Sequence, residues 1–243
     1  AGDIGGFNTD MRRLVDEHAT IIFLSNGREG GRGYREVVPI LATRILFGPE
    51  PELPRRPVPV ASADLAAWRG RVTLRGGAAV DASVRDREIW VTANDQAGMF
   101  LISGADSAAQ ARALAINRIA GAVADSLLRG GAHSLDSTFS PSLVEASHPE
   151  FFRIWHSVAD SLGGVPQVEV VGTVSPSPAQ ARTLVRLHGA RRNGTMGLDW
   201  LGGRLIQSLP ADDGLTYRFL PESRSRLSRY DVWTARNIVV ERS

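Results

Sequence analysis

GLDWLGGRLIQSL, residues 197–209, decides the fold. Trp200 and Leu205 flank the pair Gly202-Gly203. Two β-prone runs joined by two glycines read as a hairpin, because such turns need positive φ angles that glycine adopts freely. Working outward, short runs at 167–174, 181–188, 195–200, 204–208, 215–220, 229–233 and 236–241 read as further strands. This half of the chain is therefore a succession of antiparallel strands.

Two helices precede it. Over residues 107–129, Ile116, Ile119, Ala120, Val123 and Leu127 recur at helical spacing, Ser107 and Gln110 have capping-box spacing, and Gly130 is a stop. A second helix is expected from Ser147, with Glu150 three residues on. Its stripe is Phe151, Ile154, Trp155, Val158 and Leu162, and Gly163-Gly164 ends it. Residues 63–101 read as β-rich, with 71–74, 79–84 and 88–91 separated by Gly76-Gly77 and Asp86-Arg87. Helices followed by a run of antiparallel strands define an α+β class, with the helices on one face of a curved sheet.

Further upstream, residues 48–62 hold five prolines. Such a stretch is a semi-rigid, extended linker. Before it, residues 1–48 read as strand, strand, strand, helix. Ile21–Leu24 is a continuous apolar run closed by Ser25-Asn26-Gly27, Met11–Val15 is a weaker strand, and Gly5-Gly6-Phe7 starts another. Asp16-Glu17-His18 turns the chain. Tyr34, Val37, Val38, Leu41 and Ile45 then recur at helical spacing, with Pro39 early in the helix and Gly48 at its end. The expected division is 1–48, a linker over 49–62, and a larger α+β region over 63–243. A sheet that starts so abruptly, with apolar faces and little to cover them, leads to the expectation that more chain precedes it.

Composition narrows the chemistry. Hydrophobic residues are 43% and charged residues 22%, ordinary for a globular protein. No apolar run approaches the roughly 18 residues that span a bilayer. Cysteine is absent, which excludes disulfides, thiol nucleophiles and cysteine-bound zinc. There is no lysine either: all 28 basic residues are arginine, and the net charge is +2. The arginines fall in short clusters, Arg12-Arg13, Arg55-Arg56, Arg191-Arg192 and the group Arg224, Arg226 and Arg229. They read as a scattered, solvated surface rather than a nucleic-acid footprint.

The five histidines, His18, His133, His148, His156 and His188, lack metal-site spacing, so no metal or other cofactor is expected. Asp212-Asp213 and Glu50/Glu52 read as solvated turn residues, and the Gly-rich stretches as loops. No G-x-S-x-G elbow occurs. Trp90, Trp155, Trp200 and Trp233 read as core anchors.

The stretch GDIGGFNTDM…ATIIFLSNG, followed by a helix, resembles the end of the catalytic domain in serine β-lactamase and penicillin-binding-protein-like hydrolases, the CubicO-type branch in particular. The resemblance covers about 48 residues. It implies that Ala1-Gly2 are the last two residues of a His-x-Gly motif and that Asp3 donates its backbone N–H to an oxyanion hole. The family's chemistry also needs Ser-x-x-Lys and Tyr-x-Asn or Ser-x-Asn. A chain without lysine cannot hold the first. Residues two places after Tyr34, Tyr217 and Tyr230 are Glu36, Phe219 and Val232, so Tyr-x-Asn is missing too.

The resemblance thus implies the C-terminal part of a serine hydrolase acting by acyl transfer on an amide, ester or lactam. Such a part is inactive alone, and its partner is the N-terminal catalytic portion of the same protein. A periplasmic or extracellular location is expected for the parent. The order of elements over 107–210 resembles a cystatin- or nuclear-transport-factor-like cone. The alternative reading, of a different class, makes 63–243 a non-catalytic module for small-ligand binding or homo-oligomer assembly. A ligand-sized pocket would favour binding; helices flush on the sheet would favour assembly or structure.

Overall fold

The computed structural model of the chain describes residues 2–4, 7–25, 42–43, 45–47, 52–56, 58–130, 138–139, 148–164, 167–231 and 234–243. Its helices and antiparallel sheets make it an α+β protein. Two compact units are present: Ala1–Arg56 with Arg229–Ile238, and Pro57–Ser228 with Val239–Ser243.

In the first unit, β1 (Gly2–Ile4), β2 (Phe7–Leu14) and β3 (Ala19–Ser25) form an antiparallel sheet in that order. The second strand starts earlier than its composition indicates: Phe7 opens it and pairs with Ile4 of β1. His18, with φ of 50°, turns the chain between β2 and β3, and its N–H reaches the Val15 carbonyl. Residues 42, 43 and 45–47 are helical, in keeping with the expected helix; Pro39, Gly48 and the Gly-rich stretch 27–33 lie outside the described residues. Part of the Pro-rich stretch is held by side chains. The Glu52 carboxylate accepts from the backbone N–H (2.9 Å) and side-chain amide (3.1 Å) of Asn237, which lowers its pKa. Glu50 lies outside the described residues.

The second unit begins with α1 (Ser62–Ala66), which leads into β4 (Gly70–Thr73), β5 (Ala79–Arg85) and β6 (Glu88–Ala93). These strands share a sheet with β11 (Leu215–Pro221) and with the parts of β12 (Arg226–Asp231) and β13 (Arg236–Glu241) that belong to this unit, in the order β13-β12-β11-β6-β5-β4. The two end strands also meet. Leu74 bridges Arg242, the Arg75 N–H donates to the Glu241 carbonyl, and the Ser243 N–H donates to the Thr73 carbonyl. The sheet thus closes on itself there, which removes exposed ladder groups. Alternation along β6 sends Ile89, Val91 and Ala93 inward. Trp90 is therefore not a core residue; it is half-buried on the opposite face, with the Arg85 guanidinium 5.7 Å from its ring centre. Trp68 follows α1 and is fully buried, donating to the Arg224 carbonyl at 3.0 Å.

Between β6 and β11 lies everything else: α2 (Gln96–Ser103), α3 (Ser107–Arg129), α4 (His148–Leu162), and the meander β7 (Gln167–Val174), β8 (Gln180–His188), β9 (Asn193–Leu201) and β10 (Arg204–Pro210). The sheet order is β10-β9-β8-β7, and Gly202 and Gly203 (φ of 57° and 77°) make the expected hairpin turn. The cap of α3 is Asp106 rather than Ser107: its carboxylate accepts from the Ala109 N–H at 2.8 Å, and the Gln110 amide instead reaches the Ala105 carbonyl. An ionised oxygen at this position is the stronger acceptor and also suits the helix dipole. Gly130 ends α3 in the left-handed conformation. Ile119 is exposed; Ala113, Ala120, Ala124 and Leu127 make the buried stripe, because small residues let the helix approach the sheet closely.

One core joins α3, α4 and the meander through Leu127, Trp155, Leu162, Leu187, Met196, Leu198 and Trp200. The other fills the closing sheet with Trp68, Leu74, Ile89, Phe219 and Leu227. β7 serves both. Val168 and Val170 pack on the first, while Val171 and Val174 belong to the second. The switch occurs at a register shift between Val170 and Gly172. An extra residue there reverses the facing of everything after it. Glycine at 172 allows close approach of α2, since a Cβ on it would lie 2.7 Å from the Met99 sulfur and 3.2 Å from the Gln96 Cα.

Candidate functional site

Of the expected site residues, Gly2 and Asp3 lie in β1, paired with Thr9 and Asn8, and Ala1 lies outside the described residues. In the three-stranded sheet β1 takes an outer position. Three hydroxyls elsewhere have structural partners: Thr195 donates to Asp213, Thr234 to Asp231, and Ser208 accepts from the Trp155 indole at 2.9 Å. None of these three meets an imidazole.

The described histidines are equally ordinary. His188 shares a 2.7 Å contact with Glu169 on the sheet surface, and His156 lies beside Phe152 on α4. His133 lies outside the described residues. Among the described residues no group of three or more His, Asp or Glu could hold a metal ion, and no helix is long and apolar enough to cross a membrane.

The β2–β3 hairpin has an unusual surface. The register places Met11 opposite Ile22 and Thr9 opposite Leu24. On this face Met11 is 66% exposed, Ile22 63%, Leu24 72%, and Val15 further along 68%, with the exposed pair Arg13 and Thr20 among them. Ile21 and Phe23 point to the other face and are half-buried. A strand apolar on both faces is the pattern of a sheet covered on both sides.

The second unit holds a more elaborate polar site, where α2 and α3 meet the outer strand β7. The Gln96 side-chain amide donates to the Thr173 carbonyl and accepts from the Thr173 N–H, both at 2.8 Å. It thereby acts as a strand partner for a sheet edge. The Asn117 amide donates to the same Gln96 oxygen at 2.5 Å and accepts from the Thr173 hydroxyl at 2.5 Å. With its proton committed to Asn117, Thr173 accepts from Thr183 (2.6 Å), and Thr183 accepts from the Trp200 indole N–H (2.9 Å). The chain of donors therefore runs one way, Trp200 to Thr183 to Thr173 to Asn117, and each member is satisfied.

Beside this network is a cleft of about 200 Å³ lined by Arg112, Ala115, Ile116, Ser175, Ala181 and Trp200, among others. The Arg112 Nε–H donates to the Ser175 hydroxyl at 3.1 Å. The larger hollow along α4 is formed by side chains of that one helix, Phe152, Arg153, His156, Ser157 and Asp160, and stays wide open. Away from this cleft α4 packs flush on the meander, with Trp155 filling the interior. Trp233 lies outside the described residues.

The sequence points to Trp200 as an anchor. Gln96, Asn117 and Arg112 carry no local signal, because their partners are 77, 56 and 63 residues away. Comparison with protein-family models, curated proteins and solved structures finds no match to the chain.

Proposed function

We propose that this chain supplies the C-terminal elements of a β-lactamase-related serine hydrolase, together with a non-catalytic α+β module, and that it performs no acyl transfer alone. The observation that carries this reading is the group of exposed apolar side chains on one face of the β2–β3 hairpin. Met11, Val15, Ile22 and Leu24 need an apolar layer against them, and the helices of a catalytic portion of the same protein would provide one. The resemblance of the strand–strand–strand–helix segment supports the same assignment. Asp3 in β1 would then offer its N–H to the acyl oxygen. Nucleic acid has no part in this reading.

The test is to read the coding frame upstream of Ala1, express the chain with and without that extension, and label both with a serine-reactive β-lactam or fluorophosphonate probe. The chain alone should remain unlabelled, and the extended protein should be labelled at a serine followed three residues later by lysine. An upstream frame without that motif, or an extended protein that stays unlabelled, rejects the assignment.

A further inference from the structure

We propose that the cleft between α3 and the β7–β8 turn binds a small organic carboxylate, with its anion on Arg112 and its short apolar body against Ile116, Ala181 and Trp200. The site lies wholly in the second unit and is independent of the hydrolase reading.

Charge is the first argument. Arg112 is half-buried, and its structural partner is the neutral Ser175 hydroxyl. Among the described residues no carboxylate pairs with it. A guanidinium withdrawn from water gains from an anion. Geometry is the second. The buried Ser175 hydroxyl directs its proton at the carbonyls of Ser177 and Gln180, at 3.0 and 3.1 Å. That leaves its lone pairs for the Arg112 Nε–H, which fixes the plane of the guanidinium. The two terminal amino groups remain available, and they match the two oxygens of a carboxylate.

The walls are the third argument. Ala115, Ile116 and Ala181 are apolar, and the almost fully buried Trp200 ring, its N–H committed to Thr183, backs the cleft with carbon. The network through Thr183, Thr173 and Asn117 ties that ring to α3, so the cleft is built before any ligand arrives. At about 200 Å³ it lies below the usual range for drug-sized ligands and suits a short acid.

The probe is hexanoate, titrated into the full chain at low salt by calorimetry and by amide NMR, with hexan-1-ol and hexylamine as controls. Saturable shifts are expected at residues 112–116, 175–181 and 200. The alcohol and the amine should bind at least about tenfold more weakly than the acid, since a charged hydrogen bond is at stake. Arg112→Gln should weaken hexanoate by about tenfold or more while leaving the far-ultraviolet dichroism unchanged. Ala115→Leu should abolish binding by filling the cleft with Arg112 in place; if that variant misfolds, Arg112→Gln decides. Equal binding of alcohol and acid, unchanged affinity in Arg112→Gln, or no saturable shift at these residues overturns the proposal.

Discussion

The β2–β3 hairpin and the β7–β10 meander are both antiparallel, yet they treat their two faces differently. On the meander one face is apolar and covered: Val185, Leu187, Met196, Leu198 and Trp200 lie buried against α3 and α4. The opposite face of β7–β9 carries charge, with Arg182 facing Asp199 (3.7 Å) and Glu169 meeting both Arg186 and His188. Alternation of this kind marks a sheet that needs nothing more. On the hairpin the exposed face is Met11, Ile22 and Leu24, and apolar residues occur on the other face as well. The meander is complete within its unit, whereas the hairpin has the composition of a middle layer. Burial pattern therefore separates a covered sheet from one whose apolar side chains stay exposed, even where secondary structure is the same.

The comparison breaks most visibly at Trp155. Its indole is fully buried between α4 and the sheet and donates to Ser208. Trp155→Ala leaves a cavity and an unpartnered hydroxyl, so it should cost about 3–5 kcal/mol in urea or thermal unfolding. A loss below about 1 kcal/mol would mean that the covered face contributes no more than a surface does.

Asp199 tests the charged face by pH. Burial, partly offset by the Arg182 guanidinium, raises its carboxyl above the ordinary value of 3.8. The fold therefore holds that proton more tightly than the unfolded chain does. The resulting stabilisation is fully present below pH 3.8 and is lost as pH rises through the higher, folded value. Asp199→Asn removes this dependence, so the stability of the variant relative to the parent should climb as pH rises from acid. Parallel stability–pH curves for the two proteins would show that Asp199 titrates normally.

Legibility followed locality. Strands 167–174 and 236–241 and helix 107–129 are found where the pattern puts them, because each carries its own periodicity and its own turn or cap residues. The helix Gln96–Ser103 hid inside a stretch read as β-rich. Its apolar run Met99–Ile102 is too short to distinguish helix from strand. The helical signals were there: Asp95 caps Gly98 at 2.7 Å, and Gly104 ends the helix with φ of 68°. At the start of helix 107–129 the capping-box spacing points to Ser107, whereas the neighbouring Asp106 carboxylate makes the cap. The bulge before Gly172, the closure of β4 onto Arg242, and the bond between Gln96 and Thr173 depend on residues far apart, and no local periodicity encodes them. The same holds for the Arg112 cleft, whose walls come from α3, the β7–β8 turn and β9.

The smallest expected effect is also the sharpest test of the hairpin. Leu24→Ser and Ile22→Thr change side chains that this chain leaves largely in water, so folded and unfolded states lose similar apolar area. Each should alter stability by no more than about 0.5 kcal/mol. Threonine keeps the β-branch that suits a strand, which removes a propensity penalty from the second variant. If a change exceeds about 1 kcal/mol, a segment of the chain already covers this face, and the argument for an external catalytic layer fails. In a protein that restores that layer, the same two substitutions should each cost about 1.5–3 kcal/mol, because the side chains would then be withdrawn from water on folding. A null result in the chain and a loss in the extended protein together would locate the missing cover on Met11, Ile22 and Leu24, where the register of β2 and β3 lines them up.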